Sequence, residues 1–196
     1  MKKTCFSLLV ILCVTLIISI IPTEAEGAIY EDTVRLHILA NSDTKEDQEL
    51  KLKIRDDVLA EFSDRLSELE NAESAKDKIN SLLDKITQFC KERISEYGYD
   101  YDVSAELTNE WYDTREYENF TLPCGYYSSL KIIIGNGAGK NWWCVMFPPL
   151  CLDIATEKSP SDDAVKKYNN SEFVLVSGKG YRVKFKILEM MSEVFS

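Results

Sequence analysis

Histidine is almost absent from this chain, and acidic residues outnumber basic ones. His37 is the single histidine among 196 residues, and 23 Lys and Arg residues stand against 33 Asp and Glu residues, for a formal net charge of −10. A structural zinc site needs closely spaced cysteine or histidine ligands, and the sequence has no Cys-x2-Cys pair. A strongly acidic protein is repelled by nucleic acid phosphates and anionic lipid surfaces. We therefore expect no metal, no cofactor and no nucleic acid partner.

Glycine is also scarce, and its densest cluster does not fit a nucleotide-binding loop. Three of the eight glycines lie in the run Gly135–Lys140. A P-loop requires four residues between Gly and Gly-Lys and then Ser or Thr, but only three residues separate Gly135 from Gly139, and Asn follows the lysine. A dinucleotide fingerprint continues into a helix, whereas the strand-like run Trp142–Phe147 comes next. The cluster therefore predicts a turn between strands.

The N-terminus has the pattern of an export signal. Lys2 and Lys3 precede the sixteen apolar or small residues Phe6–Ile21, a run that is short for a helix spanning a bilayer. We predict a signal peptide over residues 1–25, cut after Ala25, and a single globular domain over residues 29–196. The alternative is an uncleaved anchor. In both cases this segment is the part of the chain expected to contact a membrane.

Four of the six cysteines lie outside the predicted signal peptide: Cys90, Cys124, Cys144 and Cys151. Four cysteines in an exported chain indicate disulfides, with three connectivities that the sequence leaves open. The run between Cys144 and Cys151 must bend at its two prolines, which can bring the two residues within bridging distance. We predict this pair as a disulfide. The alternative is four buried thiols.

Two helices are predicted between residues 43 and 97. Leu50, Ile54, Val58 and Phe62 recur at helical spacing after an acidic, cap-like start. A second, longer apolar stripe runs from Ala75 to Tyr97 and ends before Gly98, a residue typical of helix C-termini. The two stripes predict an α-helical hairpin whose apolar sides belong to the core.

Alternating patterns predict strands on both sides of that hairpin. Arg35 and His37 alternate with apolar residues in Val34–Ile38, and acidic residues alternate with apolar ones in Tyr99–Trp111. Tyr126–Ile134 and Trp142–Phe147 are expected to pair as a hairpin. The predicted fold is α+β, an antiparallel sheet of about five strands packed against the α-helical hairpin.

Adjacent tryptophans suggest a contact surface for a partner protein. Neighbouring strand residues point to opposite faces, so Trp142 and Trp143 cannot enter the same core layer. By parity Trp143 shares a face with Phe147, which predicts Trp143 in the core and Trp142 at the surface. Phe147, Pro148 and Pro149 add apolar surface beside them. The alternative is that both indoles are buried.

A basic row lies near the C-terminus, in a predicted strand. Arg182, Lys184 and Lys186 alternate with apolar residues in Tyr181–Ile187. One interpretation is pairing with an acidic strand such as Asp100–Glu106 across the sheet. The other is a docking surface for an acidic loop of a partner, and we include these three residues among the candidate contact residues.

Enzyme activity is the less favoured interpretation. A Cys/His-dependent hydrolase would need His37 beside a cysteine, but His37 lies in the middle of a predicted strand, and no local signature of such an enzyme surrounds any cysteine. Ser42, next to Asp43, fits a helix cap better than a nucleophile. An exported hydrolase therefore remains the alternative to a binding protein.

Two long segments are similar to a known family. They are Val34-Arg-Leu-His-Ile-Leu-Ala-Asn-Ser-Asp, continued by Leu50-Lys-Leu-Lys-Ile-Arg-Asp, and the run Asn141–Cys151 with Gly135 before it. Both resemble the signatures of the stage II sporulation protein R family, and the resemblance covers roughly Val34–Asp153.

The resemblance implies a function in endospore formation. Members of this family are secreted signalling proteins, made in the forespore, that act in the space between the forespore and mother-cell membranes. There they activate a membrane-embedded aspartic peptidase, which cleaves the sigma-E precursor. The resemblance thus implies a non-catalytic activator whose partner is that peptidase.

Overall fold

Ten helices and strands make up the part of the chain that the computed structural model describes, residues 2–20, 24–67, 69–116 and 121–148. In chain order they are α1 (Lys2–Ile20), α2 (Glu24–Glu31), β1 (Val34–Leu39), α3 (Lys45–Ser67), α4 (Ala72–Glu96), β2 (Val103–Tyr112), β3 (Arg115–Glu116), β4 (Thr121–Leu122), β5 (Gly125–Ile134) and β6 (Asn141–Phe147).

Helix α1 coincides with most of the predicted signal peptide. Its apolar side chains between residues 6 and 14 are exposed, as for Phe6 and Leu8, which are 67% and 66% exposed. Among the described helices, none is both long and apolar enough to cross a membrane. Signal cleavage stays a prediction.

The main sheet has four strands in the order β2-β5-β1-β6. Strand β1 is parallel to β5 and antiparallel to β6, and β5 is antiparallel to β2. The α+β class is therefore confirmed, but the predicted antiparallel sheet of about five strands is wrong for the described residues: the sheet is mixed and has four strands. Strands β3 and β4 form a separate two-stranded ladder.

The predicted hairpin of β5 with β6 is also wrong. Strand β1 lies between them and pairs with both. The glycine-rich segment after β5 begins with a turn, in which the Gly137 amide donates to the Ile134 carbonyl at 3.1 Å, and then crosses over the end of β1 to reach β6. Alternation in a sequence shows which face a side chain takes, but it does not show which strand lies alongside.

Helices α3 and α4 form the predicted hairpin and cover one face of the sheet. Asn71 caps α4, since its side-chain oxygen accepts a hydrogen bond from the Ser74 amide at 2.9 Å. Gly98 follows the helix with a φ of 85°, in the left-handed region that glycine favours. Arg93 of α4 contacts Asp57 of α3 at 2.8 Å. The main core between helices and sheet includes buried Leu36, Ile38, Leu50, Ile54, Val58, Phe62, Ile79, Ile86, Ile94, Leu130 and Ile132.

A second, smaller cluster covers part of the opposite face, which the sequence analysis did not foresee. Its members are Ile29, Tyr112, Leu122, Tyr127 and Val145, with Tyr30 and Trp143 packed against it. Helix α2 contributes Tyr30, whose ring meets that of Tyr127 edge-on at 5.0 Å. Strand β1, in which Val34–Ile38 are all buried, is therefore covered on both faces.

Candidate functional site

Two loops from distant parts of the sequence join at one end of the sheet. Strand β1 ends in the loop Ala40–Asp43, and β5 ends in the loop Gly135–Lys140. The amide of Gly139 donates to the Ala40 carbonyl at 3.0 Å, and the amide of Lys140 donates to a carboxylate oxygen of Asp43 at 2.7 Å. The two segments with the family-like signatures thus form one structural unit.

Asp47 organises this unit from the first turn of α3. It is 4% exposed and accepts hydrogen bonds from the Ser42 hydroxyl at 2.5 Å and the Asn41 amide at 2.9 Å. Burial raises the pKa of Asp47, but hydrogen bonds from Ser42, Asn41, Tyr101 and Thr44 together outweigh burial, and the net pKa lies below the ordinary value. Ser42 therefore donates to a carboxylate of α3 and does not cap the helix itself. The cap position is Thr44, whose hydroxyl accepts a hydrogen bond from the Asp47 backbone amide at 3.4 Å.

Helix α3 also holds the glycine-rich loop directly. Lys51 is 4% exposed, and its ammonium group donates to the Lys140 carbonyl at 2.8 Å and to Gln48 at 2.7 Å. Burial lowers the pKa of Lys51. These contacts fix the point at which β6 begins, and hence the position of the tryptophan pair.

Trp142 and Trp143 lie on opposite faces of β6, as predicted, but the predicted assignment of Trp143 to the face of Phe147 is wrong. Trp142 packs against the main core, as Phe147 does, whereas Trp143 packs against the second cluster. The register along β1 shifts by one residue near the end of β6, so that Met146 is extra. Parity counted across such a bulge gives the wrong face.

Each indole is half-buried and stacked by an arginine. The guanidinium carbon of Arg55 lies 4.9 Å from the Trp142 ring centroid, and that of Arg115 lies 4.6 Å from the Trp143 centroid. Trp143 also meets the rings of His37 at 5.8 Å and Tyr112 at 6.5 Å. Among the described residues, Trp143 therefore has more aromatic and cationic neighbours than Trp142 has.

A row of polar side chains crosses all four strands on the face of Trp143. Glu110 of β2 contacts the Lys131 ammonium of β5 and the His37 Nδ1 of β1, each at 2.8 Å. His37 Nε2 lies 3.0 Å from the Asn141 side-chain oxygen of β6. The sequence analysis identified His37 but missed its partners, because cross-strand neighbours are not visible from the alternation of one strand.

The positions of Cys144 and Cys90 argue against either of them as the partner of His37 in a Cys/His pair. Cys144 pairs with Leu36 on the main-core face, opposite to His37. Cys90 is buried between the helices and the sheet, and burial raises the pKa of its thiol to about 12. A thiol with such a pKa is protonated near neutral pH and is a poor nucleophile.

Some of the other predicted site residues lie in the part of the chain that the structure describes, and some do not. Pro148 is buried directly after Phe147, whereas Pro149, Cys151, Arg182, Lys184 and Lys186 lie outside the described residues. Cys90 and Cys124 are buried and take part in no disulfide. Each of the three connectivities pairs all four cysteines, so none of them is compatible with these two thiols. The single disulfide between Cys144 and Cys151 stays a prediction. Within the described ranges no cluster of His, Cys, Asp and Glu could hold a metal ion.

Glu110 makes stability depend on pH. Burial raises its pKa, but the bonds from Lys131 and His37 outweigh burial, so the net pKa lies below the ordinary value. Its stabilising contribution is complete above the ordinary glutamate pKa of about 4.3 and is lost as the pH falls through the lower folded-state value. Glu110→Gln should cost about 1 to 3 kcal/mol at neutral pH and flatten the fall in stability below pH 5.

Chemical denaturation at several pH values measures this effect. Glu70→Gln is the matched control, because Glu70 is an exposed carboxyl between α3 and α4 and should leave the pH profile unchanged. Equal profiles for Glu110→Gln and the wild type would show that the polar row does not stabilise the carboxylate.

The chain is a small α+β domain in which two docked loops and an edge strand with arginine-stacked indoles define the candidate site. A family model described as "Stage II sporulation protein R" matches residues 30–157. The chain is also 35% identical over 185 residues to "Stage II sporulation protein R" of Bacillus subtilis (strain 168), which covers 85% of this chain and 83% of that protein. No solved structure matches. The chain belongs to the stage II sporulation protein R family.

Proposed function

We propose that this protein is a secreted signal of sporulation that activates a membrane-embedded aspartic peptidase, which then processes the sigma-E precursor. The observation that carries the proposal is the family match, which spans residues 30–157 and so contains both docked loops and all of β6. The proposed place of action is the space between the forespore and mother-cell membranes, after export from the forespore.

We infer a binding role rather than catalysis. Both ring nitrogens of His37 already have side-chain neighbours, Glu110 and Asn141. A general base must be free to reach the proton that it removes. These contacts indicate a structural role for His37 in the sheet. They support an activator ligand over a Cys/His hydrolase.

Trp142 is the contact residue that we favour. It is half-buried at the outer strand of the sheet, with Arg55 stacked on its ring, while Trp143 meets Arg115, His37 and Tyr112. Tryptophan and arginine are the residues most enriched in interface hot spots. An indole with a stacked arginine on an edge strand therefore fits a surface that a partner protein covers.

The test is precursor cleavage in cells that produce the peptidase, the sigma-E precursor and this protein. Without this protein, the precursor should stay uncleaved. Trp142→Ala should weaken activation by about 30-fold, the equivalent of about 2 kcal/mol at a hot spot. Its cost in stability should be smaller than the roughly 3 to 5 kcal/mol of truncating a fully buried tryptophan.

Trp111→Ala is the matched control. Trp111 is 41% exposed and lies on β2, away from β6, so its removal should leave cleavage unchanged. Trp143→Ala should lower the thermal midpoint more than Trp142→Ala does. Full activity of a folded Trp142→Ala protein would show that Trp142 is not part of the contact surface. Cleavage of the precursor in cells that lack this protein would refute the proposed function.

A further inference from the structure

The end of the main sheet at β2 is acidic. Glu106 lies on this strand, and Asp100 and Asp113 lie near its two ends. All three are exposed, and they make no ion pair with any described residue. Glu110 also lies on β2, but Lys131 binds its carboxylate at 2.8 Å. The uncompensated charge at this end of the sheet is therefore negative.

Cations lie close together at the other end of the sheet, beside Trp142 of β6. Lys140 directly precedes the strand, and Arg55 of α3 stacks on the Trp142 ring at 4.9 Å. Burial lowers the pKa of Lys51, and the charges of Arg55 and Lys140 lower it further, against the opposing effect of Asp43. Strand β6 itself carries no acid. In a chain with a net charge of −10, this is a locally basic surface.

Part of this positive charge already has a counter-ion. Arg55 pairs with Asp56 at 2.7 Å. The Lys140 side chain is exposed and makes no ion pair with any described residue. The same holds for Arg115, which stacks on Trp143 on the other face of β6. Two exposed cations beside the indoles are therefore left without a carboxylate in the described part of the chain.

A partner that covers Trp142 also removes water from the cation beside it. Hot-spot tryptophans lie in desolvated contacts, surrounded by residues that exclude water. A charge that loses its water without gaining a counter-charge is costly. The covering segment must therefore supply acceptors, and carboxylates make the strongest hydrogen bonds with ammonium and guanidinium groups.

We propose that the surface formed by Trp142, Arg55 and Lys140, with Arg115 on the other face of β6, binds an acidic peptide segment of the partner protein. The proposal rests on the proposed function, in which that partner is the peptidase. Apolar parts of the segment cover the indole, and its carboxylates pair with Lys140 and Arg115. The acids at β2 repel the same segment, so the charge asymmetry of the sheet orients the approach. An anionic lipid surface fits less well, because it is repelled by the net charge of the whole chain.

Three substitutions of Lys140 separate its charge from its structural contacts. Lys140 binds Lys51 and Asp43 through its backbone, so a change of side chain leaves these contacts in place. In the precursor cleavage assay, with this protein limiting, Lys140→Arg should keep full activity. Lys140→Gln should lose about threefold and Lys140→Glu about tenfold or more, since a tenfold loss corresponds to about 1.4 kcal/mol.

Lys78→Glu is the matched control. Lys78 is exposed on α4, which packs over β2 at the far end of the sheet, so the same change of charge should leave cleavage unchanged there. Arg115→Glu is the second test variant and should also lower cleavage. Thermal midpoints show that each variant is folded.

The salt dependence of binding gives an independent measurement. We expect the affinity of the full-length protein for the peptidase in detergent micelles to fall several-fold between about 50 and 300 mM salt, because salt screens exposed charges. The affinity of Lys140→Glu should fall clearly less. Vesicles of phosphatidylglycerol without the peptidase should not bind the protein.

The outcomes separate this proposal from the proposed function. Wild-type cleavage by folded Lys140→Glu and Arg115→Glu proteins, with Trp142→Ala still impaired, would overturn the acidic segment and leave the function standing. An equal loss with Lys78→Glu would also overturn it. Binding to the anionic vesicles that Lys140→Glu abolishes would assign the basic surface to lipid. Cleavage in cells that lack this protein would refute the function itself.

Discussion

Gly139→Ala should lower the thermal midpoint by about 6 to 12 °C. A Cβ atom at Gly139 would lie 2.2 Å from the carbonyl oxygen of Ser42 and 3.0 Å from the Cβ of Ala40. Both are fixed parts of the loop after β1, so the two loops must separate to admit the methyl group. Overpacking of this kind costs about 3 kcal/mol, and each kcal/mol corresponds to about 2 to 4 °C in a protein of this size.

Gly98→Ala is the control that shows how much stability is lost when a glycine is replaced without a steric clash. A Cβ at Gly98 meets open space, but its φ of +85° is unfavourable for alanine, at a cost of about 1 to 2 kcal/mol. We therefore expect Gly98→Ala to lower the midpoint clearly less than Gly139→Ala. Calorimetry of both variants gives the comparison. The reverse order would mean that the docked loops do not contribute to stability.

Arg35→Ala should destabilise the domain by on the order of 3 to 5 kcal/mol, as truncation of a large buried aromatic side chain does. Arg35 is 0% exposed. Its guanidinium carbon lies 4.0 Å from the Tyr112 ring centroid and 5.2 Å from that of Tyr127. Alanine would leave a cavity in the second cluster and remove a desolvated cation–π contact, which is worth about 2 kcal/mol.

Arg35→Met is the matched variant, because methionine keeps much of the apolar length without the charge. Denaturant unfolding should rank the wild type first, Arg35→Met next and Arg35→Ala last. A loss below about 1 kcal/mol for Arg35→Ala would show that this face of the sheet is open to solvent, since exposed positions tolerate such changes.

Helices α3 and α4 and the positions of β1, β2, β5 and β6 could be predicted from the sequence, because periodicity and caps are local. Helix α2 and the two-residue strands β3 and β4 were not predicted. The stripe that ends before Gly98 gives α4 its end, and alternation places β1 and β2 to within a few residues. Strand order could not be predicted in this way. It depends on the insertion of β1 between β5 and β6, which no local pattern encodes.

The candidate site was foreseen in part. The indoles of Trp142 and Trp143 do take opposite faces, but the bulge at Met146 reverses the assignment that parity gave. Arg35 and His37 occupy the polar positions of an alternating strand, a pattern typical of a solvent-facing side. Both are buried because α2 and the second cluster cover that side. Helix α2 directly precedes β1, but Tyr112, Leu122, Tyr127 and Val145 lie far away in the sequence.

The central place of β1 also has a consequence for the order in which the domain can form. This strand lies near the N-terminal end of the predicted globular domain, after α2, yet its neighbours β5 and β6 begin only at Gly125 and Asn141. Contacts of such long sequence separation form slowly, because a large loop must close before they are gained. Because the chain is synthesised from its N-terminus, the sheet therefore cannot be completed until nearly all of the described domain has been made. The proposed export fits this order, because the sheet cannot close before most of the described chain has been made.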